Sequence, residues 1–97
     1  MIEVGMSGKD LKLETREDYA ALIGSTWVDP MGFEMRIVGI EDLRPCRWFP
    51  GQFVGYVHCV RPHWASDAQP VRQWLSYFLR WISKATCTAV ANKEVSP

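Results

Sequence analysis

The chain has 97 residues, 47% hydrophobic and 12% aromatic, with eleven basic and eleven acidic side chains that cancel to a formal charge of zero. That length supports one domain around one core and excludes two, while the apolar content excludes intrinsic disorder, which needs low hydrophobicity and high net charge. A neutral domain also lacks the basic excess behind strong non-specific nucleic-acid binding.

In chain order, Ile2, Val4 and Met6 alternate, residues 7–10 have turn chemistry, and Leu11 and Leu13 alternate again. This predicts a hairpin or a loose arm over residues 1–14. Thr15 is a fitting N-cap ahead of Arg16, Glu17 and Asp18, whose acids suit the first turn of a helix. With Tyr19, Leu22 and Ile23 as its stripe and Gly24 at its end, a two-turn helix is predicted from Arg16 to Ile23. Ser25 to Val28 reads as a short strand, because Asp29-Pro30-Met31-Gly32 is a good four-residue turn. The next strand, Phe33 to Ile40, starts with alternating polarity and becomes apolar on both faces at Val38 and Ile40. Trp27 is placed to pair with Phe33 or Met35.

A loop is predicted from Glu41 to Gln52, then a strand from Phe53 to Val60 that is apolar on both sides and therefore central. Gly55 within it signals a bulge or a close backbone approach. These eight residues are the longest uncharged apolar stretch, well short of the roughly 20 that cross a bilayer, and no basic leader precedes an apolar N-terminal segment. A cytoplasmic protein with no membrane contact is expected. After a loop from Pro62 to Pro70, Val71, Trp74, Leu75, Phe78, Leu79 and Ile82 fall at helical spacing, predicting an amphipathic helix from Val71 to Lys84. Tyr77 and Trp81 widen its apolar arc to about 200°, against about 100° for core packing, so that flank is either deeply wrapped or a contact surface. Residues 86–97 lose periodicity and read as a flexible tail. The domain is thus placed at residues 1–85.

No constellation points to catalysis. His58 and His63 are the two histidines, no serine sits in a glycine elbow, and no phosphate-cradling glycine loop occurs. His58, Cys59 and His63 make a poor metal set, because adjacent strand residues point to opposite faces. Cys46, Cys59 and Cys87 are odd in number without CxxC spacing, which suits free thiols rather than a disulfide framework or a zinc knuckle. The expectation is a non-enzymatic protein without metal or cofactor.

Charge is uneven along the chain. Residues 1–43 carry nine acidic and four basic side chains, a balance of −5, and residues 44–97 carry two acidic and seven basic, a balance of +5. Such asymmetry attracts a charged partner or drives self-association, unless folding interleaves the halves. Within the basic half, Arg44-Pro45-Cys46-Arg47-Trp48 and Arg61-Pro62-His63-Trp64 bracket the Phe53–Val60 strand, and Arg and Trp are enriched at binding hot spots. A strand of eight residues spans roughly 26 Å, so the two phrases belong to opposite ends of the sheet. A helix from Val71 to Lys84, roughly 21 Å long, would bring its far end back to the first phrase.

That geometry predicts a binding surface of Arg44, Arg47, Trp48, Phe49, Arg80, Trp81 and Lys84, with Arg61, His63, Trp64 and Arg72 as a second surface. The alternative is that Trp48 and Phe49 cap the core while the arginines pair with Glu41 or Asp42.

Gly24-Ser25-Thr26-Trp27, the Asp29-Pro30-Met31-Gly32 turn, the Ile37-Val38-Gly39-Ile40 strand and the Phe53-Val54-Gly55-Tyr56-Val57 strand resemble small SH3-like or α+β accessory proteins of bacterial mobile elements (phage, plasmid, integron). The resemblance covers residues 24–85 and implies adaptors, regulators or inhibitors that act by surface contact, including phage-borne antagonists of host defence. The expected fold is α+β: a small antiparallel, SH3-like curved sheet of three to five strands, a short N-terminal helix and a longer C-terminal amphipathic helix packed on it. The expected function is a protein-binding module, with another protein or a second copy as partner. Two other readings stay open. One is nucleic-acid binding, with Trp48, Phe49 or Trp64 stacking on bases and Arg44, Arg47 and Arg61 on phosphate. The other is a small-molecule pocket lined by Tyr56, Trp74 and Trp81.

Overall fold

The computed structural model describes residues 2–63 and 68–90. It is a small α+β fold in which five antiparallel strands form one sheet with two helices. The elements are α1 (Arg16–Ala20), β1 (Thr26–Val28), β2 (Glu34–Pro45), β3 (Phe53–Val60), β4 (Val71–Trp74), α2 (Leu75–Ile82) and β5 (Thr86–Ala89). Strand order is β4-β3-β2-β1-β5. No helix among the described residues is long and apolar enough to cross a membrane.

The core lies on one face of the sheet, where Tyr19 and Leu22 from the α1 region and Leu75, Phe78 and Ile82 from α2 meet Trp27, Ile37, Val57, Cys59 and Cys87. Fully buried Trp27 is its largest side chain, and its indole N–H donates to Ser25 Oγ at 2.8 Å while Ser25 donates to the Leu22 carbonyl. A buried polar group needs such a partner.

At α1, Thr15 forms a reciprocal capping box: its hydroxyl accepts from the Asp18 N–H, and Asp18 Oδ2 accepts from the Glu14 and Thr15 N–H groups. The helix ends at Ala20, short of the expected Ile23, because the Leu22 and Ile23 amides bond three residues back in tighter turns. Gly24, at φ +93°, then turns the chain so that its N–H reaches the Ile37 carbonyl.

The predicted turn forms, with the Gly32 amide bonded to the Asp29 carbonyl, and Trp27 lies opposite Met35. β2 runs on through Pro45, although Glu41 to Gln52 reads as loop. Its extra length is accommodated by a bulge in which Asp42 and Leu43 oppose Gly55 alone, with Asp42 at φ +56°. A Cβ at Gly55 would lie 2.9 Å from the Glu41 carbonyl oxygen, so the close approach admits only glycine. β3 lies inside the sheet, with β2 at the centre. It is fully buried on one face only, at Gly55, Val57 and Cys59, and half-buried on the other.

Two expectations fail near the C-terminus. The helix predicted from Val71 begins only at Leu75, because Val71 to Trp74 pair with Cys59 to Tyr56 as an edge strand. Thr86 to Ala89, read as flexible tail, form the other edge strand beside β1. The N-terminal residues are an arm rather than a hairpin. The Gly5 N–H reaches the Cys87 carbonyl at 2.8 Å, the Cys87 N–H reaches Met6, and Ser7 bridges Thr86 before a 3-10 turn at Gly8–Asp10.

Candidate functional site

The residues of the first predicted surface divide between the two ends of β2. Arg44, Arg47, Trp48 and Phe49 belong to the β2–β3 hairpin, whose tip is tied by the Cys46 amide on the Gln52 carbonyl at 2.8 Å and the Gln52 amide on Phe49. Gly51, at φ +84°, allows the reversal. Trp48 is 80% exposed and Phe49 59%, so neither caps the core. Arg44 reaches the Asp42 backbone carbonyl at 3.5 Å, whereas the Glu41 carboxylate is engaged by His58 and Arg72.

Arg80, Trp81 and Lys84 lie at the opposite end, beside the β1–β2 turn. With Asp29, Pro30, Met31 and Tyr77 they line a cavity of about 400 Å³. A second cavity of about 270 Å³ shares Trp81 and is lined by Phe33, Met35, Arg61, Gln73 and Phe78. Arg61, predicted for the second surface, therefore joins Trp81, its guanidinium 5.0 Å from the Phe33 ring centre. The cause is the edge strand. β4 already carries the chain from Cys59 back to Tyr56, so α2 returns toward the Arg61 end instead of leaving it.

Trp81 is fixed by its indole N–H, which donates to Asp29 Oδ2 at 2.9 Å, and by Phe78, whose ring centre lies 5.9 Å away. Asp29 Oδ1 accepts from the Met31 and Phe33 amides. Partial burial works to raise the Asp29 pKa, but the donors from Phe33, Trp81, Met31 and Gly32 outweigh it and hold the carboxyl below its ordinary value. A carboxylate depressed on folding contributes its full stability above the unfolded range, near pH 4, and loses it as pH falls through the lower folded value. Asp29→Asn is accordingly expected to flatten the acid limb of the stability profile. Chemical denaturation of both proteins across the acid range checks this, and equal acid sensitivity would show that Asp29 has no part in it.

Arg72 stands on the helix-free face of the sheet. Its Nε bonds Glu41 Oε1 at 3.1 Å, and its guanidinium lies 3.7 Å from the Tyr56 ring centre. His58 Nε2 meets the same Glu41 oxygen at 2.9 Å. The His58 bond, with Arg72 adding to it, holds Glu41 below the ordinary carboxylate range. Tyr56 stacks on Trp74, centres 4.6 Å apart, on this outer face. The predicted pocket of Tyr56, Trp74 and Trp81 does not form, because the sheet separates the first two from Trp81.

The second predicted surface is likewise divided: Arg61 is in the Trp81 groove, Arg72 is on the outer face, His63 is exposed beyond β3, and Trp64 lies outside the described residues. Cys59 and Cys87 are buried free thiols and Cys46 is half-buried in the hairpin loop. Burial raises the Cys59 pKa to about 12 and that of Cys87 in the same direction. No cluster of metal-ligating side chains occurs among the described residues. Sequence reasoning missed Met31 and Phe33 as groove residues, whereas Tyr77 belongs to the helix flank already singled out with Trp81. The available signal was the Asp29 turn, which had to place Met31 and Phe33 beside whatever packs over it. No family model, curated protein or solved structure matches the chain.

Proposed function

We propose that the protein is a non-enzymatic binding module, an adaptor, regulator or inhibitor of another protein, that engages its partner through the β2–β3 hairpin. The carrying observation is the exposure of Trp48 and Phe49 on a tip whose backbone is tied on both sides. An aromatic held in place before binding loses little entropy on docking, and Trp and Arg are the side chains that dominate binding energy. Arg44 and Arg47 flank the pair and favour an acidic rim around the partner's pocket. The SH3-like resemblance and the association with mobile elements fit this role and are part of the proposal, as is action inside the cytoplasm.

The double variant Arg47→Ala/Trp48→Ala is expected to keep its stability within about 0.5 kcal/mol, since exposed positions contribute little to folding. It should lose a partner that the unaltered protein retains on a column. Circular dichroism and paired capture with mass spectrometry check the two halves, and unfolding of the variant would return Trp48 to the core. Nucleic-acid binding is the second reading, favoured by the same exposed ring pair beside two arginines. Strongly salt-dependent affinity for a single-stranded oligonucleotide, lost in the same variant, would replace the protein partner.

A further inference from the structure

We infer that the Trp81 groove is a separate binding site, for an acidic peptide segment carrying one bulky apolar side chain. The two cavities meet at Trp81, and their walls are mainly apolar: Met31, Phe33, Met35, Tyr77 and Phe78. Several of these side chains are exposed, Met31 at 83% and Tyr77 at 64%, on a turn and a helix face that nothing else in the described chain covers. The smaller cavity, about 270 Å³, is slightly below the roughly 300–1,000 Å³ of small-molecule sites. It suits one side chain. The larger cavity continues it along α2, as an extended segment following that side chain requires.

Charge selects the occupant. Arg80 and Lys84 line the groove, and among the described residues the only carboxylate lining it is Asp29. Asp29 already accepts from two turn amides and the Trp81 indole, so its charge is held within its own turn. Glu34, the next acid along the chain, alternates with Met35 to the other face of the sheet. The resulting field is cationic and attracts an acidic segment. It also disfavours the hairpin tip of a second copy, which would bring Arg44 and Arg47 against Arg80 and Lys84. The apolar anchor enters beside Phe33, Phe78 and Trp81, and its flanking carboxylates meet Arg80 and Lys84.

The probe is a short capped peptide of glutamates around one phenylalanine, titrated into nitrogen-15-labelled protein. The Trp81 indole N–H and the Phe33 amide should shift together, and affinity should fall as salt is raised. Replacing the central phenylalanine by alanine should abolish the shifts. The charge reversal Arg80→Glu/Lys84→Glu, at exposed positions, should weaken binding about tenfold or more, because it sets like charges against the acidic segment. Arg47→Ala/Trp48→Ala should leave it unchanged, which separates this site from the hairpin tip. No shift at Trp81 at millimolar peptide, equal binding of a lysine version, or shifts confined to residues 46–52 would each overturn the inference.

Discussion

Trp27→Ala is expected to cost about 4 kcal/mol, in the range for removing a buried tryptophan. A domain of this size has on the order of 5–15 kcal/mol of total stability, so the variant would be partly unfolded at room temperature or close to it. The melting temperature should fall by on the order of 20 °C. The reason lies in position as well as volume. Trp27 sits in β1 between Met35 of β2 and Cys87 of β5, and its indole ties the Ser25–Leu22 turn to the sheet. Its loss would loosen the strand that delivers Asp29 to Trp81, so peptide binding in the groove should weaken along with stability. Trp27→Phe, which retains most of the ring but loses the donor to Ser25, should cost about 1–2 kcal/mol. Urea titration of the three proteins tests the order, and an alanine variant as stable as the parent would mean that Trp27 is not the centre of the core.

Gly8→Ala is the second large expected effect, about 3 kcal/mol, at the upper end for overpacking. Gly8 is buried, and its amide donates to the Ala85 carbonyl at 2.9 Å. A Cβ there would collide with the Ile82 carbonyl oxygen, lie 2.6 Å from its carbon, and reach the Ser83 Cα at 3.2 Å. All three are backbone atoms at the end of α2, where Ser83 and Ala85 amides are already bonded to Leu79 and Ile82. No rotamer change relieves the clash. The arm must lift, breaking the Gly5 and Met6 bonds to Cys87, so hydrogen exchange at the Cys87 amide should accelerate far more than at Val57. Uniform acceleration would mean that the arm and the core open together.

The parts of the fold that local chemistry dictates were legible in the sequence. Thr15 with Asp18, the Asp29 turn and the glycine at position 55 each depend on near neighbours or on one backbone approach. The failures are places where a distant partner decides. Val71 and Trp74 satisfy helical spacing with Leu75 and Phe78, yet Cys59 and Tyr56 claim them as strand partners. Thr86 to Ala89 have little apolar pattern of their own and become a strand because β1 offers an edge. The site inherits the first of these errors. Reading one strand as helix reversed the direction of α2, joined Arg80 and Trp81 to the wrong loop, and concealed their proximity to Arg61 and Phe33. The exposure of Trp48 was undecidable from composition, because the same Trp-Phe pair could fold under a long loop or stand on a tied one.

The pairing of β1 with β5 joins residues 26–28 to residues 86–89. On the ribosome, the β2–β3 hairpin can form while the rest is still being made, but β1 keeps one open edge until residue 89 has left the exit tunnel. Closure across some sixty residues carries a loop entropy that the local hairpin does not, so this edge is expected to close last. Completion of the fold is therefore timed by its least patterned strand.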